Sequence, residues 1–562
     1  MESFWTGTVA DVRRSWLRPA SLRGLFAVPL MVAIVLGITS VGAAPVLAQS
    51  VPAAAASPPG TGLAWGDNAD DQLGDGTTTN SSTPVTVDLP ADTTITAIAG
   101  GQGHSLAVTS TGTMLAWGAN SSGQLGDGTT TNRSAPVAVN LPADTTITAV
   151  AAGDRHSLAL TSTGTVLAWG LNLTGQLGDG TTTSSNTPVS VNLPANTTIT
   201  AVAAGNVHSL AVTSTGTMLA WGANLTGQLG DGTTTNRSTP VAVDLPANTT
   251  ITAIAASSSG HSLAVTSTGT MLAWGANFTG QLGDGTTTNR STPVAVDLPA
   301  NTTITAVAAG AGHSLAVTSA GTMLAWGGNG SGQLGDGSTT TSSTPVAVGL
   351  PADTTITAVA AGAGHSLALT STGTMLAWGF NASGQLGDGT TTSSNTPIAV
   401  NLPADTTITT VAGGSFHSLA IVPSASTSTT TLQVSPPNPT PDQPVTLTAT
   451  VTCTGSTPTG TVTFRDDTTT LDTKPLSGNP TTTATLTVTH LTPGTHNIQA
   501  RYNGDSNCPA STSNSTTVTV PKPTIPVTGT SLPTILTAGI LLTLTGAALT
   551  LAAHRRRPTP GA

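Results

Sequence analysis

A tryptophan returns at Trp65, Trp117, Trp169, Trp221, Trp274, Trp326 and Trp378, at intervals of 52, 52, 52, 53, 52 and 52 residues. Each closes the string LAW, and each is followed by QLGDG a few residues on. A second column keeps the same period: His104, His156, His208, His261, His313, His365 and His417 all open the string HSLA. The single longer interval comes from AASSSGH at 255–261. A period near fifty residues confines a chain to arrays of one supersecondary unit, a propeller or a solenoid. It also excludes disorder, which has no need of apolar residues at fixed spacing.

One unit, residues 136–170, reads PVAVNLPADTTITAVAAGDRHSLALTSTGTVLAWG. Four short strands are predicted in it: PVAV, ITAVAAG, HSLALTS and TVLAWG. The link TSTG is tight, with Gly164 free to take positive φ. Helices are excluded, because Thr, Gly and Pro are frequent and apolar residues alternate instead of recurring at three and four. Four strands per unit is the strand count of a propeller blade. The array is also offset by half a hairpin. It begins at TGLAWG (61–66) with no HSLA strand before it, and ends at HSLAIV (417–422) with no LAWG strand after it. Each end alone would expose a strand edge, which invites aggregation. Pairing 417–422 with 62–66 would remove both edges. The fold class expected is therefore all-β: a seven-bladed β-propeller over 61–422, closed by pairing of its two ends.

The string AGDRHSLALTSTGTVLAWGLNLTGQLGDG (152–180) resembles the signature of the regulator of chromosome condensation repeat, and the resemblance holds over all seven copies. It implies the same seven-bladed fold. The seven Trp are expected to pack between blades. The seven His are expected to be structural, since no Cys or second His lies at ligand spacing. Asp127 and its counterparts lack the alternating carboxylates of a calcium loop, and no cofactor is expected. Near-identical copies do not converge different groups on one point, so catalysis is not expected either. Two places vary: the residues before each His (GQGH, GDRH, GNVH, SSSGH, GAGH, GAGH, GSFH) and those after each Trp. Varying loops on a constant frame make a binding surface; neutral drift is the alternative. Asp154, Arg155, Phe278, Phe380 and Phe416 are the candidate binding residues.

From about residue 423 to 520 the pattern becomes Val/Leu/Thr strands split by Pro and Gly, which predicts a small β-sandwich. PTGTVTFRDD and PGTHNIQARYNGDSNC resemble bacterial immunoglobulin-like repeats of surface proteins. Cys453 and Cys508 are the only cysteines. In an exported chain they are expected to form a disulfide, peripheral because Cys508 lies beyond the Tyr502 strand.

The two ends read as addresses, with terminal apolar helices. Arg13, Arg14, Arg18 and Arg23 precede an apolar run from Leu25 to about Val41, a signal peptide over 1–48 with a linker at 49–60. RRSWLR faintly resembles a twin-arginine motif, and an uncleaved anchor is the alternative. At the other end, Ile525, Pro526, Val527, Thr528 and Gly529 resemble the LPxTG cell-wall sorting signal, with Ile525 in place of Leu. They open the segment 521–562, where an uncharged helix at 535–553 would span roughly 28 Å before Arg555, Arg556 and Arg557. The resemblance implies cutting by a sortase after Thr528; a retained membrane span is the alternative. Either places the bulk of the chain outside a Gram-positive-type cell.

Seven of the fifteen positive residues are the arginines named at these two ends, and the net charge is −10. No basic stripe exists to neutralise phosphates, so nucleic acid is not expected as a partner. The expected function is a monomeric, surface-anchored binding protein whose partner is a protein or a surface polymer. The alternatives are an exchange-factor-like regulator, an inhibitor of an extracellular enzyme, and a structural coat protein.

Overall fold

The computed structural model describes residues 59–424, 427–454, 457–478, 482–505 and 508–524. The signal peptide, the sorting motif Ile525–Gly529 and both apolar end segments lie outside the described residues. Among the described residues every regular element is a strand, and no helix is long and apolar enough to cross a membrane.

The repeats form antiparallel four-stranded groups. A typical sheet runs Ile147–Ala152, His156–Thr161, Val166–Gly170, Ser185–Ser190. Five sheets have this form. An eight-stranded sheet holds two more such groups, joined only by the pairing of Gly60 with Ile95. One of these is assembled from both ends of the array. Its strands are Thr410–Gly413, His417–Pro423, Gly60–Gly66 and Ser81–Thr86. Gly60–Gly66 pairs with His417–Pro423 along its whole length, from Gly60 opposite Pro423 to Gly66 opposite His417.

Sheet and sequence unit are out of step. PVAV at 136–139 falls largely in the strand Arg133–Ala138, which pairs with the preceding Met114–Gly118 and not with Ile147–Ala152. The QLGDG loop carries the chain from third to fourth strand and so binds PVAV to the tryptophan before it. Alternation also fails in the middle of each sheet. His156–Thr161 and Val166–Gly170 are buried at every position. These strands are covered on both faces by neighbouring sheets, so leucines fill one side and Ala or Ser the other. The TSTG link is a tight turn: Gly164 takes φ +79° and its N–H bonds Thr161 O.

Seven buried clusters lie between successive groups, each holding one repeat tryptophan. Trp169 packs on Leu106, Val108, Leu125 and Val139 of the copy before it. Its Nε1 donates to Gln124 O at 2.9 Å. The indole explains one glycine of QLGDG: a Cβ on Gly126, at φ +69°, would stand 2.7 Å from Trp169 Nε1. At the meeting of the ends, Trp65 packs on Leu367, Met375 and Leu386 and donates to Gln385 O at 3.0 Å.

Beyond the repeats, two sheets face each other across a core of Val445, Leu447, Phe464, Ile498 and Tyr502. One contains Ser428–Ser435, Val445–Cys453 and Thr482–Val488. The other contains Thr469–Pro475, Thr461–Asp466 and Gly494–Tyr502, with two short strands on the last. A disulfide joins Cys453 and Cys508, with Cα atoms 6.0 Å apart. It is less peripheral than its sequence position suggested: Cys508 is buried within the core cluster and Cys453 packs against it.

All seven repeat tryptophans are fully buried. Trp221→Ala should cost about 3–5 kcal/mol in urea unfolding, with Trp221→Phe costing less. Trp65→Ala should cost as much; a loss near zero there would show that the junction of the two ends adds no stability.

Buried histidine cycle and the variable-loop face

Each repeat histidine is fully buried and bonds the serine after the next copy's histidine. His104 Nε2 lies 3.0 Å from Ser157 Oγ, and the pattern continues from His156 to Ser209, His208 to Ser262, His261 to Ser314, His313 to Ser366 and His365 to Ser418. The seventh bond returns to the start: His417 Nε2 lies 2.9 Å from Ser105 Oγ, 312 residues away. Each serine hydroxyl donates to a glutamine carbonyl, as Ser105 does to Gln72 O and Ser418 to Gln385 O, both at 2.9 Å. That carbonyl also accepts from the neighbouring Trp Nε1. With its proton committed, the serine can only accept from histidine, which fixes the Nε2–H tautomer. Nδ1 has no hydrogen-bond partner in any copy.

Burial holds these imidazoles neutral. It pushes His104, His208, His261 and His365 down to about 3. It lowers His156, His313 and His417 to about 4, the backbone of Asn206 opposing it at His156. Nothing here is poised for acid–base chemistry near neutrality.

The other constant polar residues hold the loop after each tryptophan. Asn120 Oδ1 accepts from Leu125 N at 3.0 Å, and its amide donates to Asp127 Oδ1 at 3.2 Å. Asp127 Oδ1 also accepts from the backbone and hydroxyl of Thr129, while Oδ2 takes Arg133 at 2.7 Å. The carboxylate is thus spent on its own loop. Among the described residues no group of three or more His, Cys, Asp or Glu is arranged to hold a metal.

Antiparallel sheets put the pre-His and post-Trp loops at one end of the strands. Hydrogen bonds join them: Thr174 Oγ1 donates to Val207 O, and Thr279 Oγ1 to Gly312 O. The loops at the other end, TSTG and the LPADTT or LPANTT turns, hardly vary. The variable end carries all four large apolar side chains that stand exposed among the described residues: Leu173, Leu225, Phe278 and Phe416. Leu173, Leu225 and Phe278, 68–78% exposed, occupy one loop position in three successive copies. The same position is Ala69, Ser121, Gly330 and Ala382 elsewhere.

Of the residues singled out from sequence, Phe380 and Phe416 come together edge to face, ring centroids 6.2 Å apart. Phe278 stands apart from that pair, in line with Leu225. Asp154 and Arg155 share a loop, but the Arg155 guanidinium turns toward Gln102 Oε1 at 3.4 Å. Sequence reading passed over Leu173 and Leu225; comparing the seven loops column by column with Phe278 would have found them. It also passed over Asp67, Asp70 and Asp71, three acids in the first copy. Asp71 takes φ +67° where the other six copies have glycine.

Repeated four-stranded sheets with this cycle at their junctions define a β-propeller, followed by an immunoglobulin-like sandwich. The family model described as RCC1-like domain matches residues 57–420, and the chain belongs to that family. Residues 430–521 match the bacterial Ig-like domain, group 3. The ultraviolet-B receptor UVR8 of Arabidopsis thaliana is 31% identical over 58% of this chain and 74% of its own length. The human E3 ubiquitin-protein ligase HERC2 is 30% identical over 63% of this chain, but only 7% of HERC2 is covered. Among solved structures, human WBSCR16 aligns over 65% of this chain and 99% of its own, at 25% identity and TM-score 0.59. Yeast RCC1 (Prp20), solved with Kap60 bound, aligns over 65% of this chain and 89% of its own, at the same identity and TM-score.

The folded-state histidine values lie below the unfolded value of 6.5. The unfolded chain therefore takes up protons that the folded chain refuses. Stability should be complete above about pH 6.5 and fall as pH drops toward 4, by up to about 1.4 kcal/mol per histidine per pH unit. Tryptophan fluorescence isolates this domain, since the described tryptophans all lie in the repeats. A urea midpoint unchanged between pH 7.5 and 5 would contradict the buried neutral cycle.

Proposed function

We propose that the protein is an exported, surface-anchored binding protein without enzymatic activity, which presents the variable-loop end of a closed seven-bladed ring on an immunoglobulin-like stalk. The observation that carries this is the segregation of exposed apolar side chains. One end of the strands repeats almost unchanged, and the other bears Leu173, Leu225, Phe278 and Phe416. Burying one such side chain is worth about 1.5–3 kcal/mol, so three in line can anchor a partner protein, whereas Ala69, Ser121, Gly330 and Ala382 in the same column offer far less apolar area. The ring reading is supported by the pairing of Gly60–Gly66 with His417–Pro423 and by the return of the histidine cycle to Ser105. Export is supported by the bacterial Ig-like match and the Cys453–Cys508 disulfide. Anchoring rests on the sequence of residues 525–557: the sorting pentapeptide, the apolar span and the basic tail.

Site-specific photo-crosslinking on intact cells tests the face. A crosslinker at Leu225 or Phe278 should capture one discrete partner, and one at Thr215, at the unvarying end, should capture none. Equal capture at both positions would refute a dedicated face. Mass spectrometry of wall digests should find the chain ending at Thr528 in linkage to peptidoglycan; an intact C-terminus in the membrane fraction would replace sorting with a retained span.

A further inference from the structure

The innermost strands of all seven groups surround a cavity of about 320 Å³. Its wall is almost wholly Ala, Val, Ile and Gly, and Asp154 is its one charged lining residue. The seven residues two places before each histidine, Gln102, Asp154, Asn206, Ser259, Ala311, Ala363 and Ser415, follow the order of the copies. Four successive positions in this column are polar, and Asp154 and Ser415 line the cavity together with Ser258. Backbone hydrogen bonds tie the loops to one another. Gln102 N donates to Asp154 O, Asn206 N to Ser257 O, Ala363 N to Ser415 O, and Ser415 N to Gly101 O. The main chain is thereby committed, while the Asp154 carboxylate has no hydrogen-bond partner among the described residues. Arg155, its nearest cation, is exposed and reaches for Gln102.

A partly buried carboxylate without a side-chain partner, lining an apolar cavity, is an open acceptor for a cation. The cation must carry its charge at one end and bring apolar length behind it, as lysine does with its butyl stem. A divalent metal would need more carboxylates than the single one present. We propose that this cavity is a recognition site for an alkylammonium group, supplied by a lysine side chain or a free alkylamine, with Asp154 accepting from the ammonium and the alanine–valine wall taking the alkyl chain. The site rests on the face-binding reading only in sharing its loops; amine binding measured directly reports on it whether or not a partner protein docks outside.

Burial pushes Asp154 up to about 6, Arg155 pulling the other way. A bound ammonium favours the ionised form, so affinity should fall as pH drops below 6. The histidines that close these loops, His104, His156, His208, His261, His313, His365 and His417, stay neutral until about pH 4 or below.

The test is calorimetry or NMR titration of the full exported chain with n-butylamine, N-acetyl-lysine methylamide and n-butanol. The amines should bind and butanol should not. Asp154→Asn should weaken amine binding about tenfold or more without lowering the melting temperature, while Asp70→Asn, an acid of another loop, should leave it unchanged. Binding by butylamine alone assigns the site to free amines; binding by the lysine amide as well admits a partner's side chain. Equal binding by Asp154→Asn, equal binding of butanol, or no amine binding at tens of millimolar would each overturn the proposal.

Discussion

The hydrogen bond from His417 to Ser105 is the constraint on which the remaining repeat structure depends. Each serine donates to a glutamine backbone carbonyl and accepts from the histidine of the copy before it, so every histidine needs a following copy to supply its partner. In an open row the last histidine would be buried without a partner, at a cost of about 1–3 kcal/mol. The bond to Ser105 removes that cost, and within each junction the chain from histidine through serine to the glutamine carbonyl polarises its own two bonds. The same junctions bury the tryptophans, so polar and apolar requirements select one spacing between copies.

Three constant columns serve one junction, and this accounts for the near-identity of the seven copies. Gln72 presents its carbonyl to both Ser105 and Trp117, and Gly74, at φ +69°, leaves room for the Trp117 ring. That carbonyl belongs to the backbone, so loss of the serine or of the indole leaves it one donor short. The outer strands and the loops carry no such coupling, and there the sequence is free to differ. Arg133, Arg237 and Arg290 bridge their loop aspartates in three copies, while the other four have Ser81, Ser185, Ser342 and Ser394 there, each donating to the carbonyl two residues on.

Much of this was legible in the residues. The fixed interval between tryptophans, the alternation of ITAVAA and the TSTG turn point to short antiparallel strands, and the half-hairpins at 61–66 and 417–422 point to each other. The partner of each histidine was not legible, because Ser157 is adjacent to His156 in sequence while its bond runs to His104 in another copy. Nor was the membership of PVAV, since the chain crosses from third to fourth strand through a loop whose asparagine and aspartate bonds emerge only in three dimensions. Leu173 and Leu225 were hidden for the opposite reason: leucine is the ordinary core residue of this chain, and only its position, beside a buried Asn172 or Asn224, puts it in solvent.

The frame and the variable end also differ in what they give up. The constant columns bond the serine, asparagine and aspartate side chains and leave each imidazole Nδ1 without a partner. The variable end keeps features that weaken a fold: large apolar side chains in water, Asp71 in a left-handed backbone conformation, and the Asp154 carboxylate without a partner. Strain and unpaired charge persist only where the surrounding structure over-determines them. Here the over-determination comes from the histidine–serine cycle directly beneath the loops, which holds Gly153 and Gly205 against the imidazoles of His156 and His208. A frame locked at every junction can therefore carry an unfavourable surface on one end, and these three costs all fall on that same end.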